Sequence, residues 1–259
     1  MVVALVRSDG IYLGADSRRT GHLIRDDAFK LVQVGPQAIA ALRGSAALED
    51  DESGAVLWAT RHLKNMLNGP LPSTKVAPGA TDRERIDASR STRQQVLTAV
   101  QPFVDRIERD WNEDGILARV KGATEEDPLM LGLTLAQEET DGWILLVDLE
   151  WIATVSPDKS RVTMKFSGGK PIHLGFFKKT PPFCRPSPGC TAVIPNGPEE
   201  SDDPIQWIDG AFDLTTKRGE CSTHIGGPVD IALTQRGSVR FLRLKPGGPA
   251  GSISLPRTE

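Results

Sequence analysis

Short apolar runs separated by polar turn residues make up the first 47 residues of the chain. Asp-Gly and Gly-Pro pairs lie between neighbouring runs, and such pairs are typical of tight turns between strands. The pattern therefore predicts two consecutive β-hairpins before any helix. In order along the chain, the runs and turns are 1–6, Ser8-Asp9-Gly10, 11–15, 31–34, Gly35-Pro36 and 38–42.

A helical period follows these strands. Apolar residues recur every three to four positions over 55–67 and again over 82–111, which predicts two amphipathic helices. Pro102 lies inside the second helix, where we expect a kink or a break. A third helix is predicted over 204–217, because Asp203 can cap it and Pro204 fits its first turn. The buried face of the second helix is expected to comprise Val96, Val100, Val104, Ile107 and Trp111.

The second half of the chain is rich in β-forming residues. Two strands are predicted to form a hairpin through Ser167-Gly168-Gly169, and the last two to form another through Arg236-Gly237. Residues 178–203 contain many prolines and are expected to be irregular. The predicted strands are 129–135, 143–155, 161–166, 171–177, 228–235 and 238–244.

This order of elements predicts an α+β protein. Two sheets packed face to face with helices covering their outer faces would bury every apolar face. We expect a single domain over 1–245 and a poorly ordered glycine- and proline-rich tail over 246–259.

Composition narrows the range of partners. The chain has 259 residues and a formal net charge of -3, which gives no general attraction to nucleic acid. No apolar run approaches the roughly 20 residues that a membrane-spanning helix needs, and no secretory signal is evident, so a cytoplasmic location is expected.

The three cysteines do not have the spacing of a metal site, and no metal or cofactor is expected. Cys184 and Cys190 lie in one proline-rich segment and could approach each other. Because the number of cysteines is odd and no export signal is evident, free thiols are favoured over a disulfide.

Polar residues stand at the ends of the predicted strands. Asp16 ends the second run, Lys30 precedes the third, and Arg43-Gly44-Ser45 follows the fourth. A rigid sheet could aim these groups at one point, although spacing alone favours ordinary surface residues.

The same residues resemble a known family. The segment Asp9–Thr20 reads DGIYLGADSRRT, and it is followed by Lys30 and then by Gly44-Ser45-Ala46-Ala47. This pattern resembles the start of a proteasome-type subunit of the N-terminal nucleophile (Ntn) hydrolases. The resemblance is strong over about the first fifty residues and looser afterwards, where Ile225–Asp230 resembles the glycine pair of a late strand. It implies a four-layer αββα sandwich of two antiparallel sheets with outer helices.

The resemblance also implies a mechanism of amide hydrolysis. In that family the first residue is a threonine whose hydroxyl is activated by the free α-amine, and a neighbouring ammonium favours its anionic form. A backbone N–H at a glycine strand end can hold the oxyanion of the intermediate. Carried over to this chain, the catalytic residues would be Lys30 with its partner Asp16 and the oxyanion donor Gly44, and the substrate-binding residues would be Arg19, Thr20, Leu42 and Ala46.

The chain departs from the family at its first residue. Counting back from Asp16, Met1 corresponds to the residue after the nucleophile, so no Thr, Ser or Cys stands at the start. We therefore expect a non-catalytic protein of the same fold, acting within a homo-oligomeric ring. One alternative is an active threonine peptidase or amidohydrolase whose nucleophile precedes Met1 and whose substrate is a peptide or amide. Another is an unrelated α+β binding protein in which Asp16 and Lys30 are surface residues.

Overall fold

Two antiparallel sheets of five strands each organise the protein. The structure is a computed structural model, and it describes residues 1–18, 26, 28–44, 47–49, 56–67, 69–113, 129–158, 160–186, 190–196, 199, 202–218, 221 and 224–244. The strands are β1 (Val2–Arg7), β2 (Gly10–Asp16), β3 (Leu31–Val34), β4 (Ala38–Gly44), β5 (Ala47–Glu49), β6 (Val56–Trp58), β7 (Leu129–Glu138), β8 (Trp143–Val155), β9 (Val162–Phe176), β10 (Phe183–Arg185), β11 (Val229–Gln235) and β12 (Ser238–Arg243). The helices of the described part are α1 (Ala59–Met66), α2 (Asp82–Glu113) and α3 (Pro204–Arg218).

The first sheet has the order β10-β1-β2-β11-β12, the second has the order β3-β4-β7-β8-β9, and β5 pairs with β6 apart from both. The predicted hairpins β1–β2, β3–β4 and β11–β12 are confirmed. The first two hairpins lie in different sheets, so the chain crosses from one sheet to the other between Asp16 and Leu31.

Three apolar clusters show how these elements pack. The cluster between the sheets includes Leu13, Ile39 and Leu146, one from each of β2, β4 and β8. A second cluster joins the other face of the second sheet to α1 and α2, and a third joins the other face of the first sheet to α3. Helices therefore cover the outer face of each sheet, as the predicted α+β arrangement requires. All five apolar residues predicted for the buried face of α2 are buried.

Four details correct the sequence-based interpretation. The predicted hairpin around Gly168-Gly169 is wrong, because β9 is one continuous strand paired with β8 along its length. The glycines instead lie beside an irregularity in the register between Glu150 and Trp151, a setting in which glycine is common. Helix α2 continues through Pro102 without a break. Residues 56–58 form a strand before α1, and β10 lies within the segment that was expected to be irregular.

None of the described helices has the length and apolar character needed to cross a membrane. The predicted tail over 246–259 lies outside the described residues.

Candidate functional site

The hairpin β1–β2 brings the amino terminus to Asp16. Val2 pairs with Ala15 in this hairpin, so Met1 lies opposite Asp16, and the N–H of Asp16 donates a 3.4 Å hydrogen bond to the Met1 carbonyl. Lys30 comes from the other sheet, immediately before β3. Its carbonyl accepts a 2.7 Å hydrogen bond from the N–H of Leu42 in β4, which fixes the lysine backbone.

Three charged groups meet at this point. The Met1 ammonium donates to Oδ1 of Asp16, and Nζ of Lys30 lies 3.1 Å from the same oxygen. Nζ of Lys30 also donates to the carbonyl of Arg18 at 2.5 Å. Asp16 is 1% exposed and Lys30 is 6% exposed. The interpretation of Asp16 and Lys30 as surface residues is therefore wrong. We refer to the Met1 α-amine, Asp16 and Lys30 as the amino-terminal cluster.

A glycine loop completes the hydrogen bonding of Asp16. The N–H of Gly226 donates to Oδ2 of Asp16 at 3.3 Å, and the N–H of Arg18 donates to the Gly226 carbonyl at 3.1 Å. Glycine is required at the second position of this loop. Gly227 has a φ of 70°, and a Cβ there would lie 2.5 Å from Oγ of Ser17 and 2.6 Å from Cβ of Asp26. A Cβ at Gly226 would meet only the guanidinium end of the Arg18 side chain, at 2.5 Å, and that flexible side chain could move aside.

Burial and the unequal charges shift the pKa values of the amino-terminal cluster. Burial lowers the pKa of the Met1 α-amine to about 6, with a further lowering from Lys30 that opposes the attraction of Asp16. Burial alone would raise the pKa of Asp16, but the α-ammonium and Lys30 outweigh it and hold that pKa below 3.8. At neutral pH most of the α-amine is therefore unprotonated beside an ionised carboxylate, and it can accept a proton.

A cleft of about 580 Å³ reaches Asp16 from the side of α3. Its wall includes the backbone of the glycine loop and both charged and apolar side chains. Asp209 and Arg243 in this wall form an ion pair with each other, as do Asp213 and Lys217. The cleft therefore brings solvent close to the glycine loop and to Asp16, although the Asp16 side chain itself is buried.

The other predicted site residues are less closely connected to Asp16. Gly44 is exposed at the end of β4 and has a φ of 71°, a backbone conformation that favours glycine. Leu42 is fully buried in the cluster under α1 and α2. Arg19, Thr20 and Ala46 lie outside the described residues. The structure thus brings together Asp16, Lys30 and the α-amine, while it places Leu42 in the hydrophobic core.

The cysteines differ from the expectation of free thiols. Cys190 and Cys221 form a disulfide, and Cys184 is free. The disulfide joins two cysteines that are 31 residues apart in the sequence. It could not be predicted from the sequence, because only the fold brings Cys221 beside Cys190. Burial raises the pKa of the Cys184 thiol to about 11, although the nearby α-amine opposes this shift, so the thiol is protonated at neutral pH.

The sequence analysis did not identify a second, partly buried group of ion pairs. Arg43 on β4 donates to Asp148 at 2.8 Å and to Glu150 at 2.9 Å, both on β8. Arg185 on β10 of the other sheet donates to Glu150 at 3.2 Å, and the Thr134 hydroxyl donates to Asp148 at 2.7 Å. We call these five residues the inter-sheet network. Arg43 could have been noted from the sequence only as a lone charge after an apolar strand.

The sequence was compared with known proteins in two ways. No protein-family model matches it. No curated protein sequence matches it either.

Proposed function

We propose that this chain is a proteasome-type protein of the Ntn-hydrolase fold that keeps the charged centre of the family but is not catalytic when it begins at Met1. The observation that supports this proposal is the buried contact of the Met1 α-amine and Lys30 with one oxygen of Asp16. The order of layers, helix on sheet on sheet on helix, is compatible with it.

The chemistry of such a centre depends on the first side chain. An α-amine with a pKa near 6 can take the proton of a hydroxyl on the same residue, and the Lys30 charge would stabilise the resulting oxyanion. The hydroxyl oxygen would then attack an amide carbonyl, and the leaving amine would take up the proton. Met1 carries a thioether, which has no proton to give and cannot form the ester intermediate. A chain that begins with this residue therefore lacks the nucleophile.

A catalytic form is the second candidate, in which the residue at the amino end carries a hydroxyl. It is favoured by the buried Lys30 ammonium, because an inactive structural protein has no need to keep a second cation beside an α-amine. The two candidates differ only in the residue that occupies the position opposite Asp16.

The experiment that tests this proposal places a threonine at the amino terminus, and the hairpin register indicates at which position. Counting along the sequence puts the nucleophile before Met1, whereas the register puts Met1 itself opposite Asp16. We therefore compare two chains, each made with a removable leader so that threonine becomes the free amino terminus. One chain carries Met1→Thr, and the other carries a threonine added before Met1.

The probe is a β-lactone that acylates terminal threonine, and the readout is the added mass on residue 1. We expect Met1→Thr to be labelled and the unmodified chain to remain unlabelled. Adding Lys30→Met to Met1→Thr should slow labelling at least ten-fold, because the stabilising charge is lost. If neither threonine chain reacts although circular dichroism shows both to be folded, the Ntn assignment is wrong. Hydrolysis of fluorogenic peptide amides by the unmodified chain would contradict the non-catalytic proposal.

A non-catalytic protein of this kind is proposed to act within a homo-oligomeric ring. Light scattering on protein separated by size would test this, and a monomer at micromolar concentration would contradict ring membership. A cytoplasmic location stays a prediction.

A further inference from the structure

The Cys190–Cys221 disulfide joins a segment that lies on helix α3 to a segment that leads into the glycine loop at Asp16. Cys221 is 1% exposed and packs in the cluster under α3, while Cys190 is partly exposed at the edge of the same cluster. A small reductant can therefore reach the bond from the Cys190 side.

The segment that carries Cys190 is held on helix α3. The N–H of Val193 donates to Oγ1 of Thr215 at 3.0 Å, and the same hydroxyl donates to the Val193 carbonyl at 2.9 Å. The indole N–H of Trp207 donates to the Asn196 carbonyl at 3.0 Å. Thr215 and Trp207 belong to α3, so this side of the disulfide is fixed to the helix.

The other side of the disulfide leads directly to Asp16. The Cys221 carbonyl accepts hydrogen bonds from the N–H groups of His224 and Ile225, both at 2.9 Å. The next residue is Gly226, whose N–H donates to Oδ2 of Asp16 and whose carbonyl accepts from Arg18. Through these hydrogen bonds, the Cys221 carbonyl anchors the turn that leads into Gly226.

We propose that the Cys190–Cys221 bond is a redox-controlled positioning element, which holds the Gly226 N–H on Asp16 when closed and releases it when reduced. A dithiol reductant would break the S–S bond. Two electrons and two protons pass from the dithiol to the protein, which gains two thiols while the reductant becomes a cyclic disulfide. Exchange with a small-molecule disulfide would restore the bond. This inference concerns the hydrogen bonding of Asp16 and does not depend on the proposed function.

Amide hydrogen exchange of ¹⁵N-labelled protein tests the proposal, with dithiothreitol as the probe. On reduction we expect the amides of Gly226 and Arg18 to exchange at least ten-fold faster. The amide of Leu13, in the middle of β2, should exchange at an unchanged rate, because it belongs to the sheet ladder and not to the loop. Mass spectrometry after alkylation reports in parallel whether the bond is open.

Two variants separate this bond from the other thiol. Cys190→Ser should show fast Gly226 exchange without reductant and no further response to dithiothreitol. Cys184→Ser should match the unmodified protein in both states, because Cys184 is not part of the bond. Should Cys190→Ser fail to fold, reduction of the unmodified chain still carries the test.

Three results would overturn the proposal. Alkylation of both Cys190 and Cys221 in air-purified, unreduced protein would mean that the bond does not form. An open bond with unchanged Gly226 exchange would mean that it does not position the loop. Equal acceleration at Leu13 and Gly226 would mean that the bond stabilises the whole domain and has no local role.

Discussion

The amino-terminal cluster is buried and the inter-sheet network is partly buried, and their charges are balanced differently. The amino-terminal cluster sets two cationic groups, the Met1 α-amine and Lys30, against the single carboxylate of Asp16. The inter-sheet network sets the two arginines Arg43 and Arg185 against two carboxylates. With every group ionised, the amino-terminal cluster would carry excess positive charge, which is relieved at neutral pH because most of the α-amine is unprotonated. The inter-sheet network is neutral overall with every group ionised.

This difference distinguishes a reactive centre from a structural one. A balanced network satisfies its charges by contact, so its main effect is to join the two sheets. In the amino-terminal cluster, burial lowers the pKa of the α-amine to about 6, and repulsion from Lys30 adds to this lowering against the attraction of Asp16. Perturbed pKa values of this kind are enriched at functional sites. The comparison teaches that the candidate site is distinguished by a fully buried amine with a lowered pKa, whereas the ion pairs of the inter-sheet network are partly open to solvent.

The largest expected effect follows from removing the only carboxylate of the amino-terminal cluster. Asp16→Ala would leave Lys30 without its counter-charge, and we expect the free energy of unfolding to fall by about 3–5 kcal/mol. Urea denaturation at pH 7 measures this change. The matched control is Asp209→Ala, which removes a carboxylate from the partly exposed ion pair with Arg243 and should cost less than about 1 kcal/mol.

A loss below about 1 kcal/mol for Asp16→Ala would show that the cluster is hydrated in solution, and the argument from its burial would fail. Far-ultraviolet circular dichroism of both variants in the absence of urea checks that each starts from the folded state.

Disruption of the inter-sheet network should lower the free energy of unfolding by less than Asp16→Ala does. Arg43→Met leaves Asp148 with the Thr134 hydroxyl and with Arg185 at 3.8 Å, so we expect a loss of about 2–3 kcal/mol. Neutralising the two carboxylates as well, with Asp148→Asn and Glu150→Gln, should restore most of the lost stability, because the one charge that remains, on Arg185, is 48% exposed and can be hydrated.

Neutralising the remaining charged side chains should not restore stability in the amino-terminal cluster. This contrast directly tests the difference between the two groups. Asp16→Asn with Lys30→Met still leaves the α-amine buried, since no side-chain substitution removes it. Urea denaturation of both sets gives the fraction of stability recovered. Equal recovery in the two sets would show that their charge balance makes no difference.

Local pattern was enough to predict three of the four hairpins, the α+β class and the strand-end positions of Asp16 and Lys30. Turn pairs and alternation are encoded within a few residues, so the sequence reports them directly. The resemblance to the Ntn family added the expectation that those two residues meet, and they do meet at 3.1 Å.

The features that could not be predicted from the sequence depend on contacts between distant segments of the chain. Gly226 reaches Asp16 across 210 residues, and Arg43 reaches Asp148 across 105. The glycine pair at 168 and 169 was interpreted as a turn, because glycine also accommodates an irregular register, and only the partner strand distinguishes the two. The residue that lies opposite Asp16 also could not be obtained from the sequence, since counting residues does not reveal how a hairpin pairs.

The smallest expected effect is a dependence of stability on pH, which the amino-terminal cluster should produce and the inter-sheet network should not. The folded α-amine has a pKa of about 6 against 8.0 in the unfolded chain, so between these values the unfolded state binds more protons. The free energy of unfolding should therefore rise from pH 6 to pH 8, by about 2 kcal/mol. Urea denaturation at several pH values across this window measures the slope.

Burial also lowers the pKa of His173, which contributes in the same direction below pH 6.5, so the series is best run in a His173→Gln background. Lys30→Met should flatten the slope, because repulsion from Lys30 is one cause of the lowered amine pKa. Arg43→Met should lower stability equally at every pH and leave the slope unchanged. A slope that Arg43→Met alters and Lys30→Met does not would reverse the roles given to the two groups.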